Sequence, residues 1–289
     1  MRLVARVPAT VANVGPGFDC FGLALELCNE VTIDTDAPPG VSWEGEGADE
    51  LPTDGTDMVS RAMVFAARKT GKDLPPMALH GVNRIPLERG LGSSAAAAVA
   101  GVALVYELLA PPEGPHDPSA TFDVASELEG HPDNAAAAVF GGLTLAASES
   151  PPLRLDPHPS LRPAVLIPEG LRLSTDEARR ALAPQVARAD AVFNLGRAAM
   201  AVVALTERPD LLGPALEDRL HQDVRLSLLP EVRAMFERVR AAGVPVCVSG
   251  AGPSLLAFES ERFPVPDPGP GWRVLRIAPR AAGAEVEGA

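Results

Sequence analysis

Aromatic residues are scarce in this 289-residue chain: 4% of it, with two Trp and one Tyr. A core must therefore be assembled from Ala, Val and Leu, which the 46% hydrophobic content allows. Lysine occurs only at Lys69 and Lys72. Arginine carries nearly all the positive charge, and its planar fork suits carboxylates and phosphates, although a plain compositional bias would look the same. The three cysteines, Cys20, Cys28 and Cys247, are odd in number and form no C-x-x-C pair. That argues against a disulfide framework or a zinc site and for a cytoplasmic protein. No run of 18 or more apolar residues is present, so no membrane span is expected. The opening MRLVARVPATVANVG lacks a long apolar segment and a small-residue cleavage site, so no signal peptide is expected. Net charge is −13 and the pI is near 4.9. Nucleic acid is then a poor partner, because neutralising phosphates needs clustered Lys and Arg. Any site for a polyanion must work through backbone N–H groups, a metal and a few arginines.

The pattern along the chain predicts a mixed α+β protein in two domains, 1–150 and 151–289. Strands are expected at 3–8, 23–35 and 77–83. Asp57 should cap a helix running through Lys69 and closed by Gly71. An Ala-rich, apolar and therefore buried helix follows Gly92. A Pro/Gly-rich loop is expected at 110–118, then helices at 119–130 and from His131, broken at Gly141-Gly142 before a strand, LTLAA. The proline-rich 149–160 stretch marks the boundary. Beyond it, strands are expected at 164–167, in VPVCVSG, in LLAF and at 272–277. Helices are expected at 175–182, 190–207, 211–220 and 230–242, and a disordered tail from Ala281. There are no internal repeats.

The segment with most chemical content is Pro86-Leu87-Glu88-Arg89-Gly90-Leu91-Gly92-Ser93-Ser94-Ala95-Ala96. Two glycines let backbone N–H groups converge, Ser93 or Ser94 can cap the helix, and the positive end of the helix dipole faces the loop. Such an arrangement suits phosphate, and a serine hydroxyl there could reach a phosphate-bound Mg²⁺. A simple turn with a helix cap would read alike. It is not a Walker A loop: the only Gly-Lys pair, Gly71-Lys72, is followed by Asp73.

Two further segments accompany it: Pro8-Ala9-Thr10-Val11-Ala12-Asn13-Val14-Gly15-Pro16-Gly17-Phe18-Asp19, and Val248-Ser249-Gly250-Ala251-Gly252-Pro253-Ser254. In order and spacing the three resemble the signature motifs of the GHMP kinases, the galactokinase, homoserine kinase, mevalonate kinase and phosphomevalonate kinase family. The middle motif there is P-x-x-x-G-L-G-S-S-A, matched throughout. The resemblance spans nearly the whole chain. It implies ATP as co-substrate, Mg²⁺, and a two-domain fold: an N-terminal ribosomal-protein-S5-like βαβ domain and a C-terminal ferredoxin-like α/β-plait domain.

Within the family, P-x-T-x-A-N-x-G-x-G-F-D, Glu129-Gly130-His131-Pro132-Asp133-Asn134 and Ser174-Thr175-Asp176-Glu177-Ala178-Arg179 resemble the homoserine kinase branch, which serves threonine biosynthesis. The galactose signature R-x-N-x-x-G-E-H is absent near the start. The resemblance implies that Pro86 to Ala96 bind ATP. It implies that Arg179 and Arg225 hold a substrate carboxylate, that Thr175 also binds substrate, and that Asn13, Asp19, His131 and Asn134 meet the amino group or hydroxyl of L-homoserine. Ser94 and Glu127 are the expected Mg²⁺ ligands, with Ser93 and Glu129 as alternatives. Asn134, Asp133 and Ser94 are the expected catalytic residues, and a catalytic base is left open. So is the oligomeric state, with a homodimer one option. A different GHMP-type substrate, or a catalytically degenerate nucleotide-binding protein, are the rival readings.

Overall fold

The computed structural model describes residues 1–110, 117–147 and 150–288. The loop expected at 110–118 thus lies mostly outside the described residues. Two long strands, β1 (Arg2–Ala12) and β2 (Phe21–Asp34), form an antiparallel hairpin with a bulge between Pro8 and Ala9. β3 (Gly40–Gly45) pairs in parallel with β4 (Ala78–Asn83), which runs antiparallel to β2. In β3 half-buried Val41 and Trp43 alternate with exposed residues and pack on the core, a short strand that the sequence expectations did not include. Between them α1 (Met58–Thr70) starts where the Asp57 carboxylate accepts the Ser60 N–H and stops at Gly71, left-handed at φ +70°. α2 (Ser93–Leu109), α3 (Pro118–Glu129) and α4 (Asp133–Phe140) join α1 against this sheet. α2 is buried along most of its length, and its alanines let neighbouring helices approach closely.

The first sheet does not end near residue 150. β5 (Leu143–Leu145) pairs with the start of β2, and β6 (Leu153–Leu155) pairs with β5. The tail from Ala281, expected to be disordered, also returns to it: β11 (Glu285–Gly288) lies antiparallel to β1. Arg280 fastens the tail, reaching Glu26 at 2.9 Å and Glu285 at 2.7 Å. An otherwise bare edge on β1 is thereby covered.

The second sheet is antiparallel, in the order β10 (Trp272–Arg276), β7 (Pro163–Pro168), β9 (Leu255–Phe258), β8 (Val246–Val248). Every residue of β7 is buried, because the strand serves two cores. Ala164 and Leu166 face a cluster with α9 (Pro230–Ala241), while Val165 and Ile167 join the main core. Period-two alternation thus joins both halves. α5 (Thr175–Arg180) and α6 (Arg188–Thr206) precede a departure from expectation. In place of a helix at 211–220 come a 3-10 turn (Pro209–Leu211), the single turn α7 (Leu212–Ala215) and, after a break, α8 (Gln222–Leu228). The break is made by Asp218, whose buried carboxylate accepts the N–H groups of Leu220, His221 and Gln222. α6 is apolar and long enough to cross a membrane by length and composition alone; only 22% of it is buried, with Val192 and Leu195 exposed.

Candidate active site

The three motifs meet. Thr10 N–H, near the end of β1, donates to the Leu91 carbonyl (3.0 Å), and Ser249 Oγ donates to the Gly90 carbonyl (2.7 Å). Asn13 Nδ2 donates to the Gly250 carbonyl (2.9 Å), and Asn13 Oδ1 accepts the Asp19 N–H (3.0 Å). Asn13, expected to meet substrate, therefore also braces the first motif against the third. Gly90 and Gly92 are left-handed at φ +69° and +68°. A Cβ on Gly90 would overlap the Ser249 carbonyl, and one on Gly92 the Thr10 hydroxyl. The glycines are thus required by packing as well as by backbone conformation.

Neither Ser93 nor Ser94 caps α2. Its N-cap is Gly92, with no side-chain cap hydrogen bond. The first amides of a 17-residue buried helix are left for a ligand, at the positive end of the dipole. Ser94 Oγ instead donates to Glu129 Oε1 at 2.7 Å. Glu127, the expected metal ligand, points elsewhere: it is exposed and forms a salt bridge with Lys69 at 2.7 Å. Two residues apart on a helix face roughly opposite ways, and it is Glu129, at the end of α3, that turns into the pocket. Burial raises the Glu129 carboxyl above its usual range, and the Ser94 hydroxyl pulls it partly back.

These groups line a cavity of about 240 Å³ together with Asp19, His131, Asp133, Asn134, Thr175, Arg179 and Arg225. Of the expected nucleotide residues, Glu88 to Ala95 line it. Pro86 lies on a neighbouring cleft, Ala96 on a small apolar recess behind the loop, and Leu87 on both. That recess is also walled by Trp43, Met58 and Asn83, whose buried Oδ1 has no partner.

Charge is distributed unevenly in the cavity. Asp19, left-handed at φ +55°, receives both guanidinium nitrogens of Arg179, at 2.6 and 3.0 Å. These forked bonds hold the Arg179 pKa above its usual value. Arg225 is 3% exposed and forms no salt bridge among the described residues. Its Nη1 donates to the Gly250 carbonyl (2.7 Å) and to His221 Nδ1 (3.1 Å), and its buried Nε has no partner. Burial pulls its pKa down to about 10. Since arginine can only donate, His221 must carry its proton on Nε2, which donates to the Gly15 carbonyl (2.8 Å). Burial holds this imidazole neutral, with a pKa of about 4. The Phe18 ring stacks on His221, centroids 5.3 Å apart, and lies within 6 Å of both guanidiniums. From the sequence, Phe18 stood out only as part of the first motif and His221 not at all, though the i, i+4 spacing of His221 and Arg225 was a usable signal.

Asp133 is buried; its Oδ1 accepts from His131 Nδ1 (3.2 Å) and the Asn134 N–H (2.7 Å). That contact raises the His131 pKa and favours its charged form. Asn134 Oδ1 accepts the Thr10 hydroxyl (2.7 Å), which orients the amide.

A helix end left open to phosphate beside a pocket for a small charged molecule suits a phosphotransferase. Residues 57–142 match the GHMP kinases N terminal domain, and residues 200–262 the GHMP kinases C terminal domain. The chain belongs to the GHMP kinase family and, within it, to the homoserine kinases. It is 42% identical to a homoserine kinase of Streptomyces avermitilis, over 97% of this chain and 94% of that one. It is 45% identical to a homoserine kinase of Mycolicibacterium vanbaalenii, over 90% and 86%. The crystal structure of a homoserine kinase from Cytophaga hutchinsonii superposes with a TM-score of 0.84 at 26% identity, over 99% of this chain and 97% of that one. Methanococcus jannaschii mevalonate kinase shares the fold alone, with a TM-score of 0.70 at 11% identity, over 96% and 98%.

Proposed function

We propose that the chain transfers the γ-phosphoryl group of ATP to the side-chain hydroxyl of L-homoserine, giving O-phospho-L-homoserine and ADP. The observation that carries this reading is one cavity in which the Asp19 carboxylate, the Arg179 and Arg225 guanidiniums and an open helix N-terminus meet. Homoserine presents the complement of the first three: an ammonium for Asp19, and a carboxylate for Arg179 and Arg225 with Thr175 beside them. The loop amides from Gly90 to Ala95 take the phosphates. The apolar recess beside Ser93 takes the base, where Asn83 Oδ1 is an acceptor in need of a donor.

The Ser94–Glu129 pair fits Mg²⁺. Both offer hard oxygens, and among the described residues no cluster of three or more His, Cys, Asp or Glu side chains would hold a metal alone. That suits an ion taking its remaining ligands from phosphate and water. When bound, Mg²⁺ would neutralise charge on the transferring phosphates. Phosphoryl transfer passes through a loose transition state, so the residues act mainly by positioning. Asn134, with its oxygen held by Thr10, presents its NH₂ group to the substrate hydroxyl. Asp133 is engaged with His131, so its part is to fix that charged ring, and no strong base is assigned. The protein is read as a cytoplasmic enzyme of threonine biosynthesis.

Coupled ADP release, measured with homoserine, mevalonate, shikimate and galactose in turn, tests the reading. Turnover with homoserine alone is expected. Preference for another alcohol would move the chain to a different substrate, and no turnover with any would favour a degenerate nucleotide-binding protein.

A further inference from the structure

The two charges assigned to the ends of the amino acid are bonded to each other. Arg179 forks onto both oxygens of Asp19, and both side chains are about one third exposed, at 34% and 32%. The pair is therefore open to solvent and to the pocket. Its two members are held differently. The Asp19 backbone is fixed, its N–H bonded to Asn13 Oδ1 in a turn that runs through left-handed Asn13 and Val14. Arg179 sits on the six-residue α5, whose single buried side chain is Ala178, resting on Leu173 and Ala251. Arg225 contrasts with both: buried, held by a carbonyl and an imidazole, and with an unmet donor.

We propose that the Asp19–Arg179 ion pair is an internal stand-in for the substrate, and that zwitterionic homoserine enters by exchange, its ammonium taking over Asp19 and its carboxylate taking over Arg179. The proposal rests on the reading of this cavity as the homoserine site. Arg225 is then the standing receptor for the carboxylate, and Arg179 the arm that changes partner. His131, Asp133 and Asp176 also face the pair, but none displaces Arg179 from Asp19.

The consequence is selection for a ligand bearing both charges. A partly exposed ion pair is worth little by itself. Yet a ligand with only an ammonium must part the pair and leave Arg179 without a carboxylate, and one with only a carboxylate must leave Asp19 without a cation. A zwitterion restores both contacts. The pair thus penalises singly charged alcohols more than the loss of one contact would, which is specificity by an unfavourable element built against competitors.

The test uses the full chain with homoserine, 3-aminopropanol and 4-hydroxybutanoate, measuring kcat/KM by ADP release for wild type, Arg179→Gln and Asp19→Asn. Thermal melting checks that the variants fold. Exchange predicts a gain: Arg179→Gln frees Asp19 and should raise kcat/KM for 3-aminopropanol about threefold or more, the size expected of an exposed pair, while lowering it for homoserine. Asp19→Asn should do the same for 4-hydroxybutanoate. A simple carboxylate-binding role for Arg179 predicts no gain. Unchanged or lower 3-aminopropanol turnover in Arg179→Gln would overturn the exchange while normal wild-type turnover of homoserine leaves the substrate assignment standing. Failure of wild type on homoserine would overturn that assignment itself.

Discussion

Replacing Arg225 by Leu probes the site at its least compensated charge. The guanidinium is 3% exposed, its pKa is drawn down to about 10 by burial, and it forms no salt bridge among the described residues. Two of its contacts are neutral acceptors, and the buried Nε waits unmatched. A carboxylate arriving there makes a charge-assisted bond worth roughly 1.5–3 kcal/mol. At 1.4 kcal/mol per factor of ten, loss of that bond raises KM for homoserine by about ten- to a hundredfold. The substitution removes a desolvated charge, and the Gly250 carbonyl keeps its bond from Asn13, so the fold should survive. Steady-state ADP release, varying each substrate at saturation of the other, reads the outcome. KM for ATP should barely move. Discrimination between homoserine and 3-aminopropanol should fall, because the analogue never used the contact. If homoserine binds normally and ATP is lost, the arginine serves the phosphates and the substrate reading loses its physical support.

Glu129→Gln should cut kcat strongly and raise the Mg²⁺ concentration needed for half activity, whereas Glu127→Gln, which loses only an exposed pair with Lys69, should leave both nearly unchanged. Because burial raises the Glu129 pKa, the carboxylate takes up a proton sooner than an ordinary Glu as pH falls, and the protonated form binds cations poorly. The Mg²⁺ requirement should therefore climb on acidification in wild type and lose that dependence in Glu129→Gln; identical pH profiles would refute the assignment. Gly92→Ala should destabilise the fold by about 1–2 kcal/mol from the left-handed backbone alone, with more from overlap with Thr10, as read by denaturant melts. His221→Phe should raise the homoserine KM several-fold without changing that for ATP, and His221→Asn, whose oxygen can stand near the lost Nδ1, should recover most of it; equal effects of the two would mean that His221 only fills space.

The parts of the site that could be read from residue order are those that depend on local chemistry. Asp57 and Gly71 bound α1 as their side-chain and backbone preferences require, and the glycine loop opens a buried helix. What could not be read depends on which way a helix is rotated. Glu127 and Glu129 are two residues apart, so packing of α3 on α2 decides which one meets Ser94, and no local preference encodes that rotation. The capping role of Ser93 or Ser94 failed for a related reason: Gly92 takes the cap position, and the nearest carboxylate claims the Ser94 hydroxyl. The tail beyond Ala281 has no strand-like pattern of its own and is ordered by β1 and by the Arg280 bond to Glu26, partners remote in sequence.

The acidity of the chain gains a meaning from this arrangement. With net charge −13, a site for the phosphates of ATP and the carboxylate of homoserine cannot rely on the overall field. Many arginines are already neutralised by acidic neighbours: Arg172 on Glu50, Arg273 on Glu46, Arg276 on Glu259, Arg280 on Glu26 and Glu285. The resources left for anions are local, among them the open end of α2 and Arg89 in the loop for phosphate, Arg225 for the substrate carboxylate, and Arg179 once it leaves Asp19. Each is attached to one of the segments that hydrogen bonds knit together or to an element resting on them. Thr10 holds both the loop, through Leu91, and the Asn134 amide; Gly250 holds both Asn13 and Arg225. Phosphate end and amino-acid end therefore share a frame, and short hydrogen bonds, not long-range attraction, set the separation of the two ends.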